Sequence, residues 1–392
     1  MSDLVIKKVE NTLQRRQFLI FPWKIYQNDP CWVPPLIPER TKVINPSRGV
    51  FFERGEADFF IAYRGGKPVG TICAGEDPPS NQKRGTRHCL FGFLEVVDDF
   101  QVFQALIRRV ETWGGNRGLT ALYGPWNLDY EDSYGVLVEG WDRPPALMCG
   151  HTPPYYREFM ERAGFLPGRP ENIALEISLE ESDQFARLQR LADRLQTQGR
   201  ITIRSADFQN WDSEIDRLHG LLNHALAHLE DSIGWRRDNL ESMLAPFRRI
   251  ADPEMVLFAE VGGETVGFLP GVPNLNETLI HANGLRFPWD YLRLLWAVKR
   301  HPARGMTVKS VLVLPAYWNT GVAVMLFAEL LQRARQRGYR WADLSITSAD
   351  NPTSVLTAEK LGAKIYKRWQ VYTRKIPQER ICLSGDERDF GL

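Results

Sequence analysis

The sequence predicts an α/β protein built from two similar units in tandem, each a mixed, mostly antiparallel sheet flanked by helices. Three observations carry this. From Asp58 to Phe165 the elements read hairpin, strand, helix, strand, helix, and from Glu254 to Tyr366 the same order returns. Both hairpins contain an aromatic-led Ala-x-x-Gly-Gly-x-x-Val-Gly, at Ala62–Gly70 and Ala259–Gly267. Both closing helices end Glu-x-x-Gly, at Glu161–Gly164 and Glu359–Gly362. The expected boundaries are 1–178 for the first unit, 179–200 for a linking helix, 201–378 for the second unit and 379–392 for a tail.

The elements follow in order. DPCWVPPLIPER reads as an extended arm lying on the body. DFFIAYRGGKPVGTICAGE is two strands turning at Gly65–Gly66, NQKRGTRH a polar loop and CLFGFLEVV a third strand. FQVFQALIRRVETWGGNRGL is an amphipathic helix ended by glycines, and TALYGPWNL a strand. YYREFMERAGF is a short helix, EESDQFARLQRLADRLQTQGR the linker, and WDSEIDRLHGLLNHALAHL opens the second unit. There a hairpin turns at Gly262–Gly263. MTVKSVLVLP is a strand, GVAVMLFAELLQRARQRGY a helix and RWADLSIT a strand. PTSVLTAEKLGAKIY is a helix and KRWQVYTRK the last strand.

The chain has 392 residues, 43% apolar and 25% charged, enough for packed cores. With 49 basic and 48 acidic residues its bulk charge draws neither nucleic acid nor membrane. Five scattered cysteines without a CxxC pair argue against zinc and a disulfide framework, so no metal is expected. The N-terminal apolar run FLIFPW is short for a signal core, and no stretch has the ~20 apolar residues of a membrane span. A cytoplasmic protein is expected.

In VLVLPAYWNTGVAVMLFAELL a strand stops at Pro315, a loop carries Gly321, and a helix begins. Unpaired amides and the helix dipole make such a junction able to hold phosphate. A lone glycine also serves simply to open a helix after a turn. The element order and this junction resemble the GCN5-related N-acetyltransferase (GNAT) superfamily. The family's loop, (Gln or Arg)-x-x-Gly-x-(Gly or Ala), falls on Trp318, Asn319, Thr320, Gly321, Val322 and Ala323. The resemblance implies that these residues bind the pyrophosphate of acetyl-CoA or a longer acyl-CoA. It further implies that the strand with Val311 and Val313 pairs with the pantetheine arm, and that Asn351, before AEKLGA, faces the cofactor.

There are departures. Trp318 replaces the Gln or Arg, Ala358 stands where the family often has an acid Tyr, and TVKSVLVLP has no Glu to act as base. The first half has DDFQVFQAL after its central strand, and Asp98 and Asp99 would repel a pyrophosphate. That half reads as a GNAT-like unit with a degenerate cofactor loop. DPCWVPPL, FGFLEVVDD, GPWNLDYEDSYGVLVEGWDRPP and TPPYYREFMERAGF resemble a group of bacterial tandem proteins over nearly the whole chain. N-myristoyltransferase and the Fem aminoacyltransferases share the tandem architecture.

N-acyl transfer needs a free amine, donors for the oxyanion and a proton for the thiolate. Near the implied thioester the candidates are Ser345, Thr347, Ser348, Asp350 and Tyr366, with Asp350, Ser348 and Tyr366 taken as catalytic. Asp350–Asn351 equally suits a helix cap, and Tyr366 and Tyr372, on one strand, equally suit packing. The segment Gly124–Asp142 is too long for a bare connection and rich in Asn, Asp, Glu, Tyr and Trp. Asn127, Asp129, Glu131, Asp132 and Tyr134 form a candidate acceptor pocket, with Tyr155, Tyr156 and His151 on its border. A loop packed between the halves, and a structural His151, are the plainer readings.

The expected function is acyl-CoA-dependent N-acyl transfer to a small-molecule or lipid-like amine, with no nucleic acid involved. The missing Glu and Tyr support a non-catalytic acyl-CoA-binding protein as the alternative. A Fem-like transferase would need a basic track for tRNA, which the balanced charge does not supply.

Overall fold

The computed structural model describes residues 3–128, 135–180, 182–227, 234–245, 247–309, 311–344, 346–351, 355–356, 358–359 and 361–377. The first half gives β1 (Leu4–Lys8), β2 (Glu56–Arg64), β3 (Lys67–Glu76), β4 (His88–Val96), β5 (Ala121–Gly124), β6 (Val136–Glu139), β7 (Leu166–Pro167) and β8 (Asn172–Ser178). The second gives β9 (Thr202–Ser205), β10 (Val256–Val261), β11 (Glu264–Pro273), β12 (Gly305–Val308), β13 (Leu312–Val313), β14 (Trp341–Asp343), β15 (Thr347–Ser348), β16 (Lys364–Gln370) and β17 (Tyr372–Lys375).

Both hairpins turn at their glycine pairs, where Gly65, Gly66, Gly262 and Gly263 all have positive φ. The polar loop expected before β4 is instead a helix, Pro78–Arg84. Asp77 caps its start by accepting from the Ser80 amide, and left-handed Gly85 ends it. The arm is not fully extended either, since Ile37–Val43 is helical.

The first sheet runs β1-β2-β3-β4-β5-β17-β7 and the second β9-β10-β11-β12-β14-β8-β16-β6. Each has one parallel pair at its centre, β4 with β5 and β12 with β14, and antiparallel neighbours elsewhere on this path. A helix follows each central strand, Phe100–Gly115 in the first half and Val322–Gln336 in the second. Each lays its apolar face on its sheet: Val102, Phe103, Leu106 and Val110 in one core, Val322, Leu326 and Leu330 in the other.

The halves exchange strands. β8 precedes the expected boundary at residue 178, yet it pairs with β14 and β16 of the second sheet. β17 is the last described strand of the chain, yet it pairs with β5 and β7 of the first sheet. β6 arises inside the segment read as an irregular loop and extends the second sheet beside β16. KRWQVYTRK is therefore not one strand. It crosses between sheets at buried Val371, so Tyr366 and Tyr372 lie in different sheets.

Candidate functional site

The second sheet opens at its centre. β12 and β14 pair over Gly305–Thr307 and Trp341–Asp343, then part. One wall continues as β13, held to β11 at Phe268 and Gly267, and the other as β15, held to β8. A bulge drives the divergence. Between the Gly271–Val308 and Phe268–Leu312 pairs, β11 advances three residues and its partner four. The result is a wedge between two strands, each partnered, among the described residues, on its far side.

The helix Val322–Gln336 starts at the end of β13's wall, after the turn Pro315–Tyr317. Gly321 caps it with φ of 94° and no side-chain cap. Val322, Ala323 and Val324 donate their amides to no described residue, as at any open helix start. Asn319 and Thr320 are exposed, and the Thr320 hydroxyl is committed to the Tyr317 carbonyl at 2.6 Å. Half-exposed Trp318 turns its indole back to the Val313 carbonyl at 3.0 Å. Val311 and Val313 line up on the wall. The sequence-predicted anion loop is thus a coherent local structure, and a Cβ on Gly321 would lie 2.6 Å from Leu195 of the helix Asp183–Gln196.

At the foot of the wedge lies fully buried Asp343. Tyr366 donates to its Oδ1 at 2.8 Å, and Lys309 Nζ stands 3.7 Å from its Oδ2. Burial, reinforced by Asp343, pushes the Tyr366 phenol well above its usual range, so it stays a neutral donor. Lys309 Nζ also lies 3.8 Å from the Cys149 thiol, which comes from the first half. The buried Thr307 hydroxyl beside them has no hydrogen-bond partner among the described residues. Arg143 forms an ion pair with Glu176 at 2.6 Å and covers the rings of Trp341 and Tyr366. Lys367, fully buried, donates to the carbonyls of Gly140 and Arg143, and burial drives its amine down to about 8.

Two cavities near this foot share one lining residue, Met148. The smaller, about 130 Å³, is apolar and lies between the helix Trp211–Ala225 and the second sheet. Leu218, Leu222, Met243, Phe258 and Phe268 line it, with Lys309 at one side. The larger, about 420 Å³, lies between the N-terminal arm and the first half, with Asn276 and Leu279 contributed by the second. Met148 lines both, and its neighbour Cys149 lines the larger.

The larger cavity holds two acid–base groups. Glu95 on β4 takes a hydrogen bond from Tyr156 at 3.0 Å. Burial pushes its carboxyl up to about 8, against the Tyr156 and Tyr26 hydroxyls that favour its charged form. His151 shares its Nε2 with Asp29 Oδ2 at 2.7 Å, and its buried Nδ1 has no partner. A carboxylate only accepts, so Nε2 carries the proton and Nδ1 keeps a lone pair. Burial lowers the His151 pKa, with Asp29 offsetting only part, so the ring is biased towards the neutral base.

Other predicted residues fall as follows. Asp350 and Ser348 bind each other, Oγ to Oδ1 at 2.6 Å, on the wedge's outer wall. Asn351 is exposed, with its amide on the Ser348 carbonyl and its own carbonyl on the Val355 amide. Thr347 pairs with Ile173. Asn127 lines the larger cavity, its Oδ1 accepting from the Phe93 amide at 2.6 Å. Tyr155 gives its hydroxyl to the Val96 carbonyl at 2.7 Å, and Tyr156 rather than Tyr155 lines the cavity. Asp129, Glu131, Asp132, Tyr134 and Ser345 lie outside the described residues. Sequence reasoning missed Glu95, Asp29, Asp343 and Lys309. The signal for Glu95 was an acid inside the apolar strand FGFLEVV.

The first sheet parts in the same way after His88–Leu90 and Ala121–Tyr123, but there the chain fills the gap. The Trp126 amide donates to the Phe91 carbonyl at 2.7 Å, and a Cβ on Gly92 would lie 1.8 Å from the Trp126 carbonyl oxygen. The helix start beside it is closed too, because the Asp99 carboxylate takes the Gln101 and Val102 amides. Among the described residues no group of three or more His, Cys, Asp or Glu side chains is placed to hold a metal, and no helix is long and apolar enough to cross a membrane.

Comparison with known proteins agrees with this geometry. Residues 221–363 match the acetyltransferase (GNAT) family. The bacterial ceramide synthase of Caulobacter vibrioides is 27% identical, over 96% of this chain and 98% of its own. Protein YghO of Escherichia coli is 26% identical, over 95% of both chains. Among solved structures, a tandem GNAT protein from the clavulanic acid biosynthesis pathway shares the fold with a TM-score of 0.57 at 13% identity, covering 96% of this chain and 99% of that one. A GNAT protein of Sphaerobacter thermophilus does so with a TM-score of 0.52 at 14% identity, covering 95% and 96%. Residues 221–363 are thus similar to the GNAT family, and the whole chain shares the fold of proteins that carry two GNAT units in tandem.

Proposed function

We propose that the protein transfers an acyl chain from acyl-CoA to the amine of a lipid-like acceptor, forming an amide. The observation that carries this reading is that one apolar and one acid–base-lined cavity share Met148 as a lining residue, beside the foot of an open strand wedge. In this reading the wedge of the second half takes the pantetheine arm, with Val311 and Val313 on its wall and Thr307 as a polar contact within. The loop Trp318–Ala323 takes the pyrophosphate on its free amides. The first half, its gap filled by its own chain, takes no CoA. The smaller cavity takes the acyl chain and the larger the amino end of the acceptor. The full-length similarity to a protein named as a ceramide synthase supports a long-chain amino alcohol as that acceptor.

The chemistry follows from the residues. The acceptor attacks the thioester carbonyl as a neutral amine, and its nitrogen must lose one proton as the amide forms. His151, which lines the larger cavity, takes the proton on Nδ1 once the ring turns this closed-off atom towards the acceptor, with Asp29 fixing the tautomer. The nitrogen–carbon bond forms, the carbon–sulfur bond breaks, and the thiolate leaves. Lys309 supplies positive charge near the departing sulfur. One proton passes overall from the amine to the thiolate, so the products are an amide and free CoA.

The test is incubation with acyl-CoAs of increasing length and a long-chain amino alcohol, following thiol release and the amide by mass spectrometry. Amide formed in step with thiol is the expected result. Bound acyl-CoA with no amide from any amine would instead favour a protein that binds the thioester without turning it over.

A further inference from the structure

The helix Asp290–Arg300 is packed on one side only. Asp290 and Ala297 are buried and Leu294 is half-buried. The opposite face, roughly half the circumference at 100° per residue, carries Tyr291, Leu292, Leu295, Trp296 and Val298, with Trp289 just before it. All six are more than half exposed, Leu292 at 69% and Leu295 at 63%. A helix buries its apolar stripe when only water faces it, and a contiguous exposed patch of this kind marks a contact surface.

The helix is nevertheless firmly held. Asp290 accepts from the Phe287 amide at 2.9 Å and from Asn283 Nδ2 at 3.0 Å, and Arg293 pairs with it at 3.2 Å. Asn283 in turn accepts from the Trp23 indole at 2.8 Å, which ties the segment to the N-terminal arm. The apolar face is therefore presented by a fixed element.

Its charge identifies the partner. From Arg286 to Arg304 the chain has five basic residues, Arg286, Arg293, Lys299, Arg300 and Arg304, and one acid, the buried Asp290. Exposed tryptophan, tyrosine and leucine with basic residues among them are the composition of a helix lying in the plane of an anionic lipid surface. The stems of Lys299 and Arg300 reach past the apolar side chains to the headgroups. The segment's five basic residues and one acid give it a charge of +4, so with a net charge of +1 the rest of the chain carries −3 and the attraction is local to this face. The preceding helix Asn276–Leu279 places Asn276 and Leu279 on the wall of the larger cavity.

We propose that this helix docks the protein on an anionic phospholipid bilayer, lying in the headgroup boundary without crossing it. The proposal rests on the surface alone and stands whether or not the cavities take the substrates assigned above. The experiment is co-sedimentation of the full chain with phosphatidylglycerol–phosphatidylcholine vesicles and with phosphatidylcholine vesicles. The expected result is binding to the anionic vesicles, weakened by salt and reduced about tenfold or more in Leu292→Glu/Leu295→Glu. A second variant, Lys299→Glu/Arg300→Glu, alters only exposed charges and should remove the preference for phosphatidylglycerol. Equal binding by all variants, or no binding of the wild type to either vesicle, overturns the proposal. So does a dimer that the Leu292→Glu/Leu295→Glu change dissolves, since a second copy would then cover this face.

Discussion

Gly321 is a poor place to probe the anion loop, because its φ of 94° and the nearness of Leu195 would strain any side chain there. Ala323 is better. An acid at this second helical position favours the dipole, yet it opposes a pyrophosphate. Ala323→Asp should weaken CoA binding by about tenfold or more in calorimetric titration, with an unchanged melting temperature. Glu95 gives a pH signature. Its folded pKa of about 8 lies above the ordinary 4.5, so the folded protein holds the proton more tightly. Stability from this group is full below pH 4.5 and is lost as pH rises to about 8. Glu95→Gln should therefore gain on the wild type across that window, by up to about 5 kcal/mol at the alkaline end, read from urea melts at several pH values. His151→Asn should lower kcat by about a hundredfold while leaving CoA affinity intact, which separates a proton acceptor from a packing residue.

At the scale of elements, the apolar cavity gives the clearest prediction. Met243→Trp would fill space between the helix Arg237–Leu244 and the second sheet. Turnover of long acyl-CoAs, as kcat/KM, should fall about tenfold, while acetyl-CoA is spared. The elements were largely legible in the sequence because their causes are local. The glycine pairs at 65–66 and 262–263 needed positive φ, and the helical periods near Phe103 and Leu326 announced their buried faces. The Gly321 junction was legible for the same reason. What was hidden depends on distant partners. Nothing in Val136–Glu139 says that it will pair with β16, and nothing in QVY says that the chain changes sheets there. Tyr366 could be named, but not its partner Asp343, and Lys309 and Cys149 meet only because two halves fold together. His151 could be named too, while the Asp29 that orients it is 122 residues away.

At the scale of the molecule, the exchanged strands join two sheets into one cooperative unit. Separate fragments 1–178 and 201–392 would each lack an interior strand supplied by the other. Expressed alone they should fail to give dispersed amide spectra, and mixing them should restore a folded complex. The intact chain should melt in one transition by calorimetry, with the calorimetric and van't Hoff enthalpies equal.

The exchange also sets an order of events during synthesis. Residues 372–375 leave the ribosome long after 121–124, and until they do, β5 lacks the neighbour on its outer side. The first-made half must wait, with an open edge, for a strand made after most of the second. A bare edge in a crowded cell is an invitation to pair with the wrong chain. Translation that stalls before residue 372 would thus leave a nascent chain that depends on chaperones, however complete its first half looks on paper.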